Sequence, residues 1–183
     1  MPTPELFYDL LSPDHSEYVA SFDCGSQPWE VDLNDFVSND ALRDQGLSLS
    51  RTYLFFSDQN ASQLCVASVT VLATAIKREE WSLLAKLSKE KIAYRLVPAL
   101  LIGRLAVRAD MQGQRIGSQI LVWVRDLASE LRIGCRLLAV QVDKANEGAV
   151  KFYEREGFAA APVKDGKSLR TMLFDLLVEP GGG

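Results

Sequence analysis

The sequence is poor in the residues that build metal sites and disulfide frameworks. It contains a single histidine, His15, and three cysteines, Cys24, Cys65 and Cys135, which are odd in number and far apart. A disulfide framework or a structural zinc site requires a closely spaced set of such residues. We therefore expect neither a disulfide nor a metal, and a reducing cytoplasm is the simplest location for the chain.

Long hydrophobic runs are missing as well. The longest apolar stretches, 64–76 and 96–102, are too short or too interrupted by polar residues to reach the roughly 18–20 residues that cross a bilayer. The first residues lack the basic region and apolar stretch of a signal peptide. We expect a cytoplasmic protein without a membrane partner.

The composition is that of a folded protein with an uneven charge distribution. With 183 residues, of which 48% are hydrophobic, the chain is predicted to form one domain, 1–183, with flexible ends at 1–15 and 178–183. The net charge of −4 combines a segment 1–75 with two basic and eleven acidic residues and a segment 76–170 with eighteen basic and eleven acidic residues. A basic second part suits an anionic ligand. Charge alone leaves open an ordinary solvated face, a nucleotide cofactor or a nucleic acid.

The first half of the chain shows moderate secondary-structure signals. A strand is predicted at 18–22, and a helix capped by Asp32 is predicted to end at Gly46. The β-rich runs 51–57 and 64–72 predict a hairpin, and the apolar spacing over 79–94 predicts a helix.

The second half is more regular. It predicts a strand at 99–107, a loop at 108–115, a helix at 116–132 and a strand at 135–142. A short helix at 147–156 follows Asn146, and closing strands are predicted at 158–161 and 170–177. This alternation indicates a mixed α/β fold, with a central sheet flanked by helices.

The loop between the strand 99–107 and the next helix has the character of an anion site. The first amides of a helix lack internal partners and carry partial positive charge, so they suit a pyrophosphate. Gly113 and Gly117 remove Cβ atoms where a phosphate approaches the backbone, and further donors come from Gln114, Arg115 and Ser118. The alternative is a turn that happens to contain two glycines.

A second stretch, Asn146-Glu-Gly-Ala-Val-Lys-Phe-Tyr153, also follows a predicted strand. Asn146 is placed to start the helix, and Tyr153 lies about two turns in. Taken alone, Tyr153 is better explained as a core residue with its hydroxyl at the surface.

Together the two stretches resemble the GNAT acetyltransferase family, most closely over about 100–160. The family's phosphate-binding signature is Gln or Arg, two residues, Gly, one residue, then Gly or Ala. Here it reads Gln112-Gly113-Gln114-Arg115-Ile116-Gly117, so Arg115 stands where the family has its first Gly. The later element Asn-x-x-Ala-x-x-Phe-Tyr is matched in full by Asn146, Ala149, Phe152 and Tyr153.

The resemblance implies the GNAT acyl-CoA N-acyltransferase fold, in which a twisted sheet splays to admit acetyl-CoA. Tyr153 is then expected to be the general acid that protonates the departing thiolate. Arg104 matches a basic residue beside the cofactor and substrate cleft in one branch of the family, and is expected to bind the substrate. The cofactor-binding residues that the resemblance implies are Leu105, Ala106, Val107, Gln112, Gly113, Gln114, Arg115, Ile116, Gly117, Ser118 and Asn146.

Three further segments are similar to one GNAT branch, the tRNA-acetylating toxins of toxin–antitoxin pairs. They are Phe22-Asp-Cys-Gly25 followed by Leu33-Asn-Asp-Phe36, then Ser50-Arg-Thr-Tyr53, and Leu101-Ile-Gly-Arg-Leu-Ala-Val107. This branch acetylates the α-amine of aminoacyl-tRNA and is neutralised by a ribbon-helix-helix antitoxin. An α-amine, with a pKa near ~8, needs less help to lose its proton than a lysine with a pKa near ~10.4. Many GNAT proteins pair, so the family also suggests a homodimer.

Two other functions stay open. A GNAT acetyltransferase acting on a small-molecule amine or a protein amine fits the pI of about 5.1, which is low for a nucleic-acid binder. A non-catalytic acetyl-CoA-binding regulator is disfavoured by Tyr153, because a binding module has no need of an acid for the thiolate.

Overall fold

The structure, a computed structural model, describes residues 4–59, 62–82, 94–161 and 168–177. Within them, seven strands form one sheet in the order β1-β2-β3-β4-β5-β7-β6. The strands are β1 (Phe7–Leu10), β2 (Arg51–Gln59), β3 (Ser62–Lys77), β4 (Leu96–Val107), β5 (Leu137–Asp143), β6 (Ala159–Ala160) and β7 (Leu169–Asp175). The helices are α1 (Ser16–Ala20), α2 (Pro28–Asp35), α3 (Ala41–Gly46), α4 (Arg78–Ser82), α5 (Ile116–Glu130) and α6 (Glu147–Arg155). The predicted mixed α/β class is therefore confirmed.

The chain divides into two compact units. The first comprises Met1–Leu72 and Gly103–Leu121, and the second comprises Ala73–Ile102 and Val122–Gly183. In the first unit, β1 and β3 flank β2 in antiparallel pairs, with Tyr8 opposite Phe55. Apolar side chains of β2 and β3 pack with those of the N-terminal helices in one core cluster, which includes Phe22, Cys24, Phe36, Leu54, Phe56, Cys65 and Ala106.

In the second unit, β5 is the central strand. It pairs in parallel with β4, from Ala99 opposite Leu137 to Ile102 opposite Val140, and antiparallel with β7 over its whole length. Residues 137–140 are all buried, as expected of an unbroken apolar strand that is covered on both faces. The core of this unit comprises Ile76, Trp81, Val97, Ala99, Leu137, Ala139, Ala161 and Leu173.

Most predicted elements of the second half are confirmed, and their boundaries shift by a few residues. The hairpin of β2 and β3 is also confirmed. The helix predicted at 79–94 begins as α4, whereas 83–93 lies outside the described residues, as does the tail 178–183. The segment 1–15, predicted to be flexible, contains β1, which is hydrogen-bonded to β2.

Two predictions in the N-terminal part are wrong. The strand predicted at 18–22 is instead the helix α1, which follows a 3-10 turn at Pro13–His15 and buries Val19 in the core. The helix predicted to start after Asp32 begins at Pro28, where the fixed φ of proline favours a first helical turn. Its predicted end at Gly46 is confirmed, although a π-helical turn at Phe36–Asp40 separates α2 from α3.

Candidate active site

The loop that joins β4 to α5 has an unusual backbone. A 3-10 turn at Ala109–Met111 leads into Gly113, which has a φ of 77°, and Arg115 has a φ of 61°. Both residues lie in the left-handed region, which glycine enters freely and which costs other residues roughly 1–2 kcal/mol. Arg115, the residue that stands where the family signature has Gly, thus adopts the conformation that glycine favours.

The N-terminus of α5 opens directly from this loop. The amide of Gln119 bonds back to the carbonyl of Arg115, just before the helix, at 3.1 Å. The amides of Ile116 and Gly117 therefore point beyond the helix end, where the partial positive charge of a helix is concentrated. This arrangement suits a bound phosphate group.

Gly113 and Arg115, two of the exposed residues of the loop, differ in what they offer. A Cβ built on Gly113 meets no atom within 4 Å, so Gly113 serves the backbone conformation and leaves open space beside it. Arg115 is exposed, and its guanidinium provides donors and a permanent positive charge beside the first turn of α5.

Two of the predicted cofactor-binding residues have side chains that cannot reach a ligand. Ala106 is 3% exposed and belongs to the core cluster of its unit, and Ile116 is 1% exposed. Only their backbone groups remain to bind a cofactor. The neighbouring Leu105 and Val107 are half-buried.

The glutamine side chains of the loop bind the protein itself. Nε2 of Gln112 donates to the carbonyl of Cys24 at 2.9 Å and to that of Val107 at 3.2 Å. Nε2 of Gln114 lies 3.6 Å from the sulfur of Met111. These contacts shape the loop and do not involve Arg115, whose side chain is exposed.

Arg104 lies on β4, five residues before the loop turn at Ala109–Met111. Its guanidinium carbon is 3.9 Å from the centre of the Phe36 ring, and Arg104 is exposed whereas Phe36 is buried. Stacking on an aromatic face orients the guanidinium without removing its charge. Arg104 is therefore available to an anionic group.

In the second unit, the short helix α6 carries the other predicted residues. Oδ1 of Asn146 accepts a hydrogen bond from the amide of Ala149 at 2.9 Å, so Asn146 caps the helix as predicted. Gly157, with a φ of 87°, ends it.

Tyr153 is buried, with 5% of its surface exposed. Its ring makes edge contacts with the rings of Phe152 and Phe158, at centroid distances of 5.1 and 5.3 Å. Burial raises the pKa of the Tyr153 hydroxyl, because the charged phenolate would lose its hydration. The hydroxyl is therefore protonated at neutral pH and is suited to donate a proton.

The side chain of His15 is held by contacts with nearby residues of the N-terminal part. Its side chain is 12% exposed. Its Nδ1 accepts a hydrogen bond from the amide of Ser12 at 3.0 Å, and its Nε2 lies 3.5 Å from a carboxylate oxygen of Asp9. It therefore stabilises the turn that precedes α1.

The residues that hold the loop from outside were not predicted from the sequence. Asp23, Cys24 and Asn34 lie in motifs that the sequence singled out, yet no local pattern indicated that Cys24 would meet Gln112. Within the part of the chain that the structure describes, no group of three or more His, Cys, Asp or Glu residues could hold a metal ion. Among the same residues, no helix is long and apolar enough to cross a membrane.

Comparison with known proteins gives both a family and a set of structural relatives. Residues 51–158 match the model of the acetyltransferase (GNAT) family. AtaT complexed with acetyl-methionyl-tRNAfMet is 23% identical, with a TM-score of 0.72 over 93% of this chain and 95% of that one. A tyrosine-to-phenylalanine mutant of KacT is 22% identical, with a TM-score of 0.71 over 94% and 95%. An AtaT mutant toxin bound to acetyl-CoA and the C-terminus of the antitoxin AtaR is 21% identical, with a TM-score of 0.68 over 93% of each chain. At these identities the likeness shows a shared fold.

Proposed function

The chain belongs to the GNAT family of acetyltransferases, and from this premise we propose that it acetylates the α-amine of an aminoacyl-tRNA, as the toxin of a toxin–antitoxin pair. The observation that carries the proposal is the fold shared, over nearly the whole of both chains, with AtaT in complex with acetyl-methionyl-tRNAfMet. The net positive charge of 76–170 supports it, because RNA affinity rests largely on neutralising phosphates.

Acetyl-CoA, the acetyl donor of this family, fits the donor set of the β4–α5 loop. Two outward amides at a helix N-terminus, an exposed arginine and the open space beside Gly113 are suited to a pyrophosphate. We assign that role to Gln112–Ser118, through its backbone and Arg115. The backbone of Leu105–Val107 is assigned to the pantetheine arm, and Asn146 to a further cofactor contact.

Bound acetyl-CoA supplies an activated acetyl group as a thioester. On the protein side, Tyr153 holds a proton on its hydroxyl and donates it to the departing sulfur as general acid. Burial keeps this proton in place across the pH range where an amine acceptor is partly neutral. The backbone amides of Leu105 and Val107 are assigned to polarising the carbonyl.

The acceptor must attack as a neutral amine. The only histidine is engaged with Ser12 and Asp9, which favours an acceptor that loses its own proton readily. An α-amine near pKa ~8 meets this condition better than a lysine side chain. Arg104, oriented by Phe36, is assigned to the substrate, where it would meet a phosphate.

The proposed partners follow from the same comparison. A mutant of AtaT is bound to the C-terminus of the antitoxin AtaR, which supports an antitoxin for this chain. We assign the antitoxin to the ribbon-helix-helix class and propose a homodimer in the cytoplasm.

A second acceptor class has one observation in its favour. The pI of about 5.1 is low for a nucleic-acid binder, and it favours a small-molecule amine or a protein amine.

The test is acetyl transfer from labelled acetyl-CoA to total charged tRNA, with deacylated tRNA and N-blocked aminoacyl-tRNA as controls. We expect label on charged tRNA alone, and its loss with the Tyr153→Phe variant. Label on none of these RNAs, from protein that binds acetyl-CoA, would move the search to small amines and protein N-termini.

A further inference from the structure

The motifs Phe22-Asp-Cys-Gly25 and Leu33-Asn-Asp-Phe36 have no role in the chemistry above. We propose that Ser21–Gly25 forms a carbonyl bracket that positions the cofactor loop, and that Asn34 is the positioning residue that holds the bracket in shape. The inference rests on the acetyl-CoA part of the proposed function and is independent of the acceptor.

Three carbonyls of the bracket accept hydrogen bonds from the loop. The amide of Ala109 donates to the carbonyl of Asp23 at 2.9 Å. Nε2 of Gln112 donates to that of Cys24 at 2.9 Å, and Nη1 of Arg108 donates to that of Ser21 at 3.0 Å. Arg108, Ala109 and Gln112 are thus hydrogen-bonded to the bracket, just before the left-handed Gly113.

Asn34 fixes the bracket from the other side. Its Oδ1 accepts from the amide of Cys24 at 3.0 Å, and its Nδ2 donates to Oδ1 of Asp23 at 3.0 Å and to the carbonyl of Gly25 at 3.2 Å. The same Asp23 oxygen accepts from the amide of Gly25 at 2.9 Å. One amide side chain therefore binds the three successive residues Asp23, Cys24 and Gly25. The backbone of Cys24 is bonded twice, through its amide to Asn34 and through its carbonyl to Gln112.

Glycine at position 25 is required by the same geometry. Its φ of 133° lies in the region that favours glycine, and a Cβ there would fall 2.2 Å from Oε2 of Glu30. That oxygen accepts a hydrogen bond from the amide of Gln27 at 2.8 Å. Gly25 thus lets the bracket turn tightly into the first turn of α2.

The bracket is expected to act on cofactor affinity. A loop held in its binding conformation loses less entropy when a ligand binds. Arg115, which follows the bracketed residues, has a strained backbone, so the loop is expected to change conformation when the bracket no longer holds it. Loss of the Asn34 bonds should raise the KM and Kd for acetyl-CoA and leave kcat nearly unchanged, since Tyr153 is untouched.

The test compares Asn34→Ala with Asn39→Ala by calorimetric titration of acetyl-CoA and by KM and kcat. Asn39 is a matched control, because its Nδ2 bonds only the exposed carboxylate of Asp35, at 2.7 Å. We expect Asn34→Ala to weaken acetyl-CoA binding by about tenfold, the scale of one or two lost hydrogen bonds, and Asn39→Ala to leave it unchanged. An unchanged Kd and KM for folded Asn34→Ala would overturn the proposal.

Gln112 provides a second route that leaves the bracket itself intact. Gln112→Met keeps a similar side-chain length but removes the donor without adding charge beside the proposed phosphate site, and should weaken acetyl-CoA binding. In a double-mutant cycle, Asn34→Ala and Gln112→Ala should be less than additive in acetyl-CoA affinity, because both act through Cys24. Full additivity would contradict the bracket. Failure of the unaltered protein to bind acetyl-CoA would overturn the proposed function itself.

Discussion

The side-chain oxygen of Asn146 accepts a hydrogen bond from the amide of Ala149 at 2.9 Å, so the residue that we assign to a cofactor contact also caps the helix carrying Tyr153. The two roles require different atoms. Capping needs the oxygen of Asn146, whereas a bond donated to a cofactor needs its nitrogen.

This difference allows the roles to be separated. Asn146→Asp keeps the capping oxygen and should retain stability, whereas Asn146→Ala should lower the free energy of unfolding by about 1 kcal/mol. If Asn146 donates to the cofactor, both variants should bind acetyl-CoA more weakly. Urea unfolding and calorimetric titration measure the two effects, and normal acetyl-CoA affinity in Asn146→Asp would limit Asn146 to capping.

Tyr153→Phe should reduce turnover without unfolding the protein. The ring contacts with Phe152 and Phe158 need no hydroxyl, whereas loss of a general acid typically costs 10²–10⁴-fold in rate. Acetyl-CoA affinity should stay within about twofold, because this substitution removes only a hydroxyl. Turnover equal to that of the unaltered protein would remove Tyr153 from the mechanism.

The pH dependence of kcat should carry the signature of the buried hydroxyl. Burial raises the pKa of Tyr153 above its ordinary value of ~10, so this proton is retained on the alkaline side. The rate should rise as the acceptor amine becomes neutral. At pH values up to ~10, loss of the Tyr153 proton should not lower the rate. A falling limb near neutral pH that disappears in Tyr153→Phe would contradict this.

Arg115→Gly should separate backbone strain from charge. Glycine adopts the left-handed φ of 61° without strain, which should raise the free energy of unfolding by about 1 kcal/mol. Part of this gain is lost because glycine also increases the conformational entropy of the unfolded chain. Loss of the guanidinium should weaken acetyl-CoA binding. Arg115→Lys, which keeps the charge and the strain, is the matched control and should bind more tightly than Arg115→Gly; the reverse order would show that the arginine side chain does not serve the cofactor.

A buried ion pair in the second unit should dominate local stability. Arg136 bonds both carboxylate oxygens of Asp175, at 2.8 and 2.9 Å, and the two side chains are 14% and 4% exposed. Arg136→Ala leaves the carboxylate without this partner and should cost about 3–5 kcal/mol. The exposed pair of Lys151 and Glu147 is the control, since Lys151→Ala should change the free energy of unfolding by less than about 0.5 kcal/mol. Equal effects of the two substitutions in urea unfolding would show that the buried pair contributes no more to stability than the exposed pair.

The second half of the chain was predictable because its signals are local. A cap such as Asn146 and an end such as Gly157 act within one helical turn, and the apolar spacing of α5 records which face is buried. The N-terminal part was harder because tertiary packing decides it. Residues 18–22 include Tyr18, Val19 and Phe22, which favour strands, yet 18–20 belong to α1 because the turn at Pro13–His15 starts a helix and Val19 fills the core.

The sequence by itself therefore determined the family, the mixed α/β class, the glycine-bearing loop before α5 and the helix that carries Tyr153, because the motifs and spacings that predict them are local. Only the tertiary structure decided that Arg115 adopts the left-handed conformation, that the side chains of Ala106 and Ile116 are buried, and that Gln112 bonds Cys24. Cys24 and Gln112 are 88 positions apart, and no local pattern specifies a hydrogen bond between groups that folding alone brings together.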